Sequence, residues 1–96
     1  MYYAQIYDTD SPEILAFFSL GGLRNFIEDF NSVPDNPGIV ARVGCKEARA
    51  AMERRLRAIV SLHPFDAPYH VADLPRMPAD ELYEHYRWSL EVYPTD

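Results

Sequence analysis

Hydrophobic and polar residues alternate at the start of the chain. In YYAQIY, residues 2–7, Tyr2, Ala4 and Ile6 fall on one side of an extended backbone, and the composition favours a strand. DTDSPE then supplies turn chemistry, and ILAFF, residues 14–18, is an apolar run of strand length. Together they predict a β-hairpin. The period changes next. Ser19 can cap a helix from Leu20, and Leu20, Leu23, Phe26, Ile27 and Phe30 share one face of it. Asn25, Glu28 and Asp29 take the other face. NSVPDNPG, residues 31–38, stops the helix and forms a loop.

GIVARV, residues 38–43, alternates again and predicts a third strand. A second helix follows over about residues 46–62, with Ala48, Ala51, Met52, Leu56, Ile59 and Val60 as its apolar arc. HPFDAPYHVADLPRMP carries four prolines and predicts an irregular segment, with a short extended piece at 69–72. Pro78 suits the first turn of a third helix over 79–91, whose Leu82, Tyr83, Tyr86 and Leu90 face the core. RWSLEVY also alternates, so a strand placing Trp88, Leu90 and Val92 inward competes. No turn residue separates it from ELYEHY, which favours the helix. The order predicts one α+β domain over residues 1–96, a small, mainly antiparallel sheet of about three strands with about three helices on one side.

Composition narrows the class. Apolar residues make up 48% and aromatics 14%, too much for a disordered chain. No apolar run approaches the ~18–20 residues that span a bilayer. MYYAQIYDTD lacks the basic and apolar regions of a signal peptide. Cys45 is the one cysteine, which excludes an internal disulfide framework. These features predict a cytoplasmic protein without a membrane partner.

Charge is unevenly spread. Residues 1–41 carry a net −5, residues 42–57 a net +4 and residues 58–96 a net −5. The basic window, RVGCKEARAAMERRLR, holds Arg42, Lys46, Arg49, Arg54, Arg55 and Arg57. Arg49, Glu53 and Arg57 make a partly self-neutralising i,i+4 ladder, and the acidic remainder repels nucleic acid, so direct nucleic-acid binding is not expected. The window is better read as an internal counter-charge. Arg55 falls inside the apolar arc and needs a partner, expected to be a carboxylate from the same chain or from a second copy, because an uncompensated buried charge costs several kcal/mol. Arg54, Arg55 and Arg57 could alternatively form a self-interface in a small dimeric assembly protein.

Candidate reactive groups are few. His63, Asp66 and His70 lie in one loop and are proper ligand types for zinc or iron, but their spacing matches no closed motif. A metal-dependent enzyme built on them is the distant alternative. His85 follows Glu81 by four and reads as a helix pair. Cys45 precedes a helix, where a thiol pKa can fall, yet no neighbouring histidine can serve as its base. Glycine-rich phosphate loops, G-x-S-x-G elbows and CxxC motifs are missing from the sequence. No enzyme, cofactor or metal is expected.

The acids offer a more specific expectation. Asp80, Glu84 and Glu91 line the polar side of the third helix, with Glu81 nearby; Glu28 and Asp29 stand on the first helix; Asp8, Asp10 and Glu13 surround the hairpin turn. Such carboxylates can imitate nucleic-acid phosphates to a basic partner. Trp88 projects among Glu81, Glu84 and Glu91, the placement of an aromatic anchor in an interface. The proline-rich loop folding over its ring is the competing expectation.

YYAQIYDTDSPEILAFF and the helix SLGGLRNFIEDF resemble the opening of several small phage-borne inhibitors, of which anti-CRISPR proteins are the best-known group. The resemblance spans residues 2–30. It implies a non-enzymatic inhibitor that blocks a basic, nucleic-acid-handling host defence complex in the host cytoplasm. Anti-CRISPR proteins share no common fold, so the resemblance assigns no residue a role.

Overall fold

β-Branched and aromatic residues hold the first segments extended, and they pair as a hairpin and a third strand. A computed structural model describes residues 1–7, 13–35 and 39–94. Strands β1 (Tyr2–Tyr7), β2 (Ile14–Phe17) and β3 (Ile39–Val43) form an antiparallel sheet in the order β2-β1-β3. Tyr2 faces Phe17 and Gln5 faces Ile14 across the hairpin, and the Ile6 N–H donates to the Glu13 carbonyl at 3.0 Å. On the other side Tyr3 faces Val43 and Tyr7 faces Ile39. The predicted α+β class with a three-stranded antiparallel sheet is the observed one. Asp8 and Asp10, expected in the hairpin turn, lie outside the described residues.

By its internal contacts the chain divides into two compact units, Met1–Ala48 and Arg49–Asp96. In the first, helix α1 (Leu20–Ser32) lies on one sheet face, where Leu23 is buried with Ala4 and Val40. Ile6, Phe17, Leu20, Phe26, Ile27 and Phe30 pack around them. Phe26 stacks obliquely between Phe17 and Phe30, with centroids 5.4 and 5.8 Å apart. The helix starts where the sequence predicts, because the Ser19 Oγ accepts the Gly22 N–H at 3.0 Å.

Tyr2 shares the strand face of Ala4 and Ile6 but sits at the strand end, 36% exposed, under the Arg42 guanidinium at 5.8 Å. Tyr3 and Ile14 are buried instead, on the opposite sheet face, because β1 is the central strand and both of its faces carry core residues. Phe18, expected within β2, lies beyond its end and is 91% exposed.

The α1 helix also runs further than predicted, through Asn31 and Ser32. Asn31, in this added stretch, bonds to the sheet. Its side-chain amide donates to the Val40 carbonyl at 3.0 Å and accepts the Val40 N–H at 3.1 Å. One amide thus replaces a peptide group of a missing fourth strand and satisfies the outer edge of β3.

The second unit is helical. Helix α2 (Cys45–Leu62) begins in the first unit, and Met52, Leu56 and Ile59 form the buried stripe of its remainder. The proline-rich segment is not extended at 69–72; a 3-10 helix runs from Val71 to Arg76, started by the extended backbone of His70. Pro75 is tolerated there because the element is too short to need every N–H. Helix α3 (Ala79–Val92) follows, preceded by Pro78, and buries Leu82, Tyr86 and Ser89. Residues 87–92 are therefore helical, and the competing strand is excluded. Among the described residues, no helix is long and apolar enough to cross a membrane.

The Asn31 contact is testable. Asn31→Ala leaves the Val40 N–H and carbonyl without their protein partner. Its expected cost is about 1–2 kcal/mol in urea denaturation. A change within the scatter of surface substitutions would show that solvent replaces the amide at no cost.

Candidate functional site

The basic window is the first place to look for a binding surface, and much of it is turned to structural use. The predicted ladder forms: Glu53 lies 3.6 Å from both Arg49 and Arg57. Arg49 also donates to the Leu74 carbonyl at 2.9 Å and to the Met77 carbonyl, closing the C-terminal end of the 3-10 helix. Arg55 reaches the C-terminal turn of α3. Its Nε donates to Ser89 Oγ at 2.9 Å, and one terminal nitrogen donates to the Ser89 and Tyr93 carbonyls at 3.2 and 2.8 Å.

The last carbonyls of a helix have no intrahelical donor, and the helix dipole favours a cation beside them. The last turn of α3 has no basic residue of its own. Arg55 supplies one from α2. The acceptors in these three contacts are a hydroxyl and two main-chain carbonyls. Arg54 and Arg57 remain exposed, whereas the half-buried Arg55 points inward, so the three do not form one outward patch.

Ser89 is the residue that the sequence reading missed. It is fully buried, with its hydroxyl donating to the Tyr86 carbonyl at 2.7 Å while accepting from Arg55. The available signal was a small polar residue three positions after Tyr86 on an otherwise apolar face.

Rings collect around α3. Trp88 is half-buried, not a lone exposed ring. Tyr69 and Tyr93 meet it edge-on, at 6.1 and 5.9 Å. The expectation that the proline-rich loop covers Trp88 therefore describes this ring better than the exposed-anchor expectation. Tyr69 is itself fixed by its hydroxyl, which donates to the Leu56 carbonyl at 2.7 Å. Burial pushes its pKa up to about 12, and the nearby Arg55 charge opposes part of that rise.

Of the loop residues His63, Asp66 and His70, the first two meet at Tyr93. His63 stacks on the Tyr93 ring at 4.0 Å, and the Tyr93 hydroxyl donates to Asp66 at 2.8 Å. His70 instead stands beside a depression described below. Among the described residues, no three His, Cys, Asp or Glu side chains are grouped to hold a metal ion. Cys45 is exposed at the start of α2, with its sulfur 3.4 Å from the Met1 carbonyl.

The carboxylates differ in placement. Asp80, Glu81, Glu84 and Glu91 are all exposed on α3, and Glu28 and Asp29 are exposed on α1. Glu13 is only half-exposed beside β2. On α3 the helical spacing puts Asp80, Glu84 and Glu91 in one row, with the half-buried Arg87 on the same arc. Asp80 accepts the Glu81 N–H at 2.9 Å, and Glu81 lies 3.9 Å from His85. Below this turn lies a depression of about 350 Å³, lined in part by Tyr69, Asp73, Arg76, Met77, Glu81 and His85.

No family model, curated protein or solved structure shows significant similarity to the chain.

Two outcomes follow from the buried contacts. Arg55→Ala removes the donor to two carbonyls and a buried hydroxyl, and is expected to cost about 2–3 kcal/mol. Arg54→Ala, at an exposed position, should stay within about 0.5 kcal/mol. Equal effects in urea denaturation would refute the capping role.

The Tyr69 contribution has a definite pH sign. Folding favours the neutral phenol, so the unfolded chain loses this proton first as pH rises. The stabilisation is complete below the ordinary value of 10.0 and is lost as pH climbs towards about 12. Tyr69→Phe should flatten the fall in stability between those values, measured as the urea midpoint against pH. An unchanged slope would mean that other groups set the alkaline limit.

Proposed function

We propose that the protein is a non-enzymatic inhibitor whose α3 carboxylates occupy a basic, nucleic-acid-binding surface of a host defence complex. One observation carries this reading. The acids of α3 point outward, while Arg49 and Arg55 are bonded to main-chain carbonyls. Arg57 shares Glu53 with Arg49. Cations held against carbonyls are less available to an incoming anion, and the exposed row presents negative charge at a spacing set by the helix. A partner that holds nucleic acid through Lys and Arg is the natural complement of such a row. The resemblance of residues 2–30 to small phage-borne inhibitors points to the same class, anti-CRISPR-like and acting in the host cytoplasm.

Attraction between exposed charges is screened by salt, so binding should weaken as ionic strength rises. The test uses tagged protein to capture its partner from bacterial lysate at low and high salt. The captured complex should then fail to bind its nucleic acid. The double reversal Glu84→Lys with Glu91→Lys should abolish capture while leaving stability within about 0.5 kcal/mol. Undiminished capture by the double reversal would place the contact surface elsewhere. Capture of a complex that still binds nucleic acid would refute the inhibitor reading.

A further inference from the structure

The depression at the start of α3 combines two kinds of wall. Pro68, Met77 and Pro78 give it an apolar side, and Met77 is almost wholly buried. The Tyr69 and His85 rings meet at 5.2 Å and 51° along another side. Two carboxylates stand at it from different elements, Asp73 from the 3-10 helix and Glu81 from the first turn of α3. Arg76 is the one guanidinium in the lining and His70 completes it, so with neutral imidazoles the lining carries one net negative charge.

This lining discriminates between ligand classes. An anion would face two carboxylates. A neutral apolar group would desolvate them without giving them a donor. A long side chain with an apolar stem and a cationic end satisfies both walls. Carboxylates on separate elements suit a planar cation that donates in several directions, which is arginine rather than the point charge of lysine.

We propose that this depression receives one arginine side chain from the basic partner surface. Its stem lies along Met77 and the prolines, and its guanidinium meets Asp73 and Glu81. The inference rests on the inhibitor reading and deepens it, because Glu81 belongs to both the α3 acidic face and the lining. It would make the acidic face selective for a partner with an arginine at one position.

The test needs no partner. N-acetyl-arginine amide is titrated into the full chain, labelled with nitrogen-15, and the amide shifts are followed. The lysine, norleucine and glutamate analogues serve as comparisons. Saturable shifts at residues 69–85 are expected with the arginine probe. Asp73→Asn and Glu81→Gln, each checked for an unchanged melting temperature, should weaken it by about fivefold or more. No saturable shift, or equal binding of the norleucine or glutamate probe, overturns the site. Equal binding of the lysine probe overturns the choice of arginine. Failure here with partner capture still lost in the Glu84/Glu91 reversal sinks the pocket alone. A selective arginine response with capture of a complex that still binds its nucleic acid sinks the inhibitor reading alone.

Discussion

Main-chain groups left over at the ends of regular elements must find partners, and the architecture around α2 is organised by that need. A helix ends in carbonyls that its own backbone cannot satisfy. At the ends of the 3-10 helix and α3 the Leu74 and Ser89 carbonyls accept the Met77 and Tyr93 N–H groups, and α2 adds side-chain donors to both ends, with Arg49 at the Leu74 and Met77 carbonyls and Arg55 at those of Ser89 and Tyr93. Guanidinium is well suited to this, since it donates in several directions and remains charged at any relevant pH. Buried Ser89 completes the arrangement by accepting from Arg55 and donating to Tyr86. Shape and charge are tied together at these points.

The first unit solves a related problem with a neutral group. Strand β3 is an edge, and an exposed edge invites unwanted pairing. Asn31 closes it at Val40 with one donor and one acceptor, as a neighbouring peptide would. The same residue lies in α1, past the point where the sequence suggests a loop. A side chain thus stands in for backbone in both units, in one case with charge and in the other without.

These arrangements shape the electrostatic surface. Six of the nine basic residues lie in one window, which suggests a cationic face. Holding two half-buried guanidinium groups against carbonyls, and pairing Glu53 with two neighbours, offsets part of it. The carboxylates of α3 stay exposed, with the half-buried Arg87 on their arc and His85 beside Glu81. The covered Trp88, held between Tyr69 and Tyr93, gives this acidic face a firm base rather than a free anchor.

How much of this was legible follows from distance along the chain. Hydrophobic spacing, the Ser19 cap, the proline-rich stop and the Arg49–Glu53–Arg57 ladder act within a few residues, and they set the strands, helices and α+β class. The acidic row on α3 was legible for the same reason, since helical spacing alone places it. The contacts that complete the structure were not. Arg49 meets Leu74 across 25 residues, and Arg55 meets Tyr93 across 38. No local period encodes such a pairing, and a guanidinium seeking an acceptor reads the same whether a carboxylate or a carbonyl satisfies it. The sequence by itself determined the elements and the sign of their faces. Tertiary structure decided which polar groups were used up within the fold, because a side chain finds its partner only after distant segments have packed together.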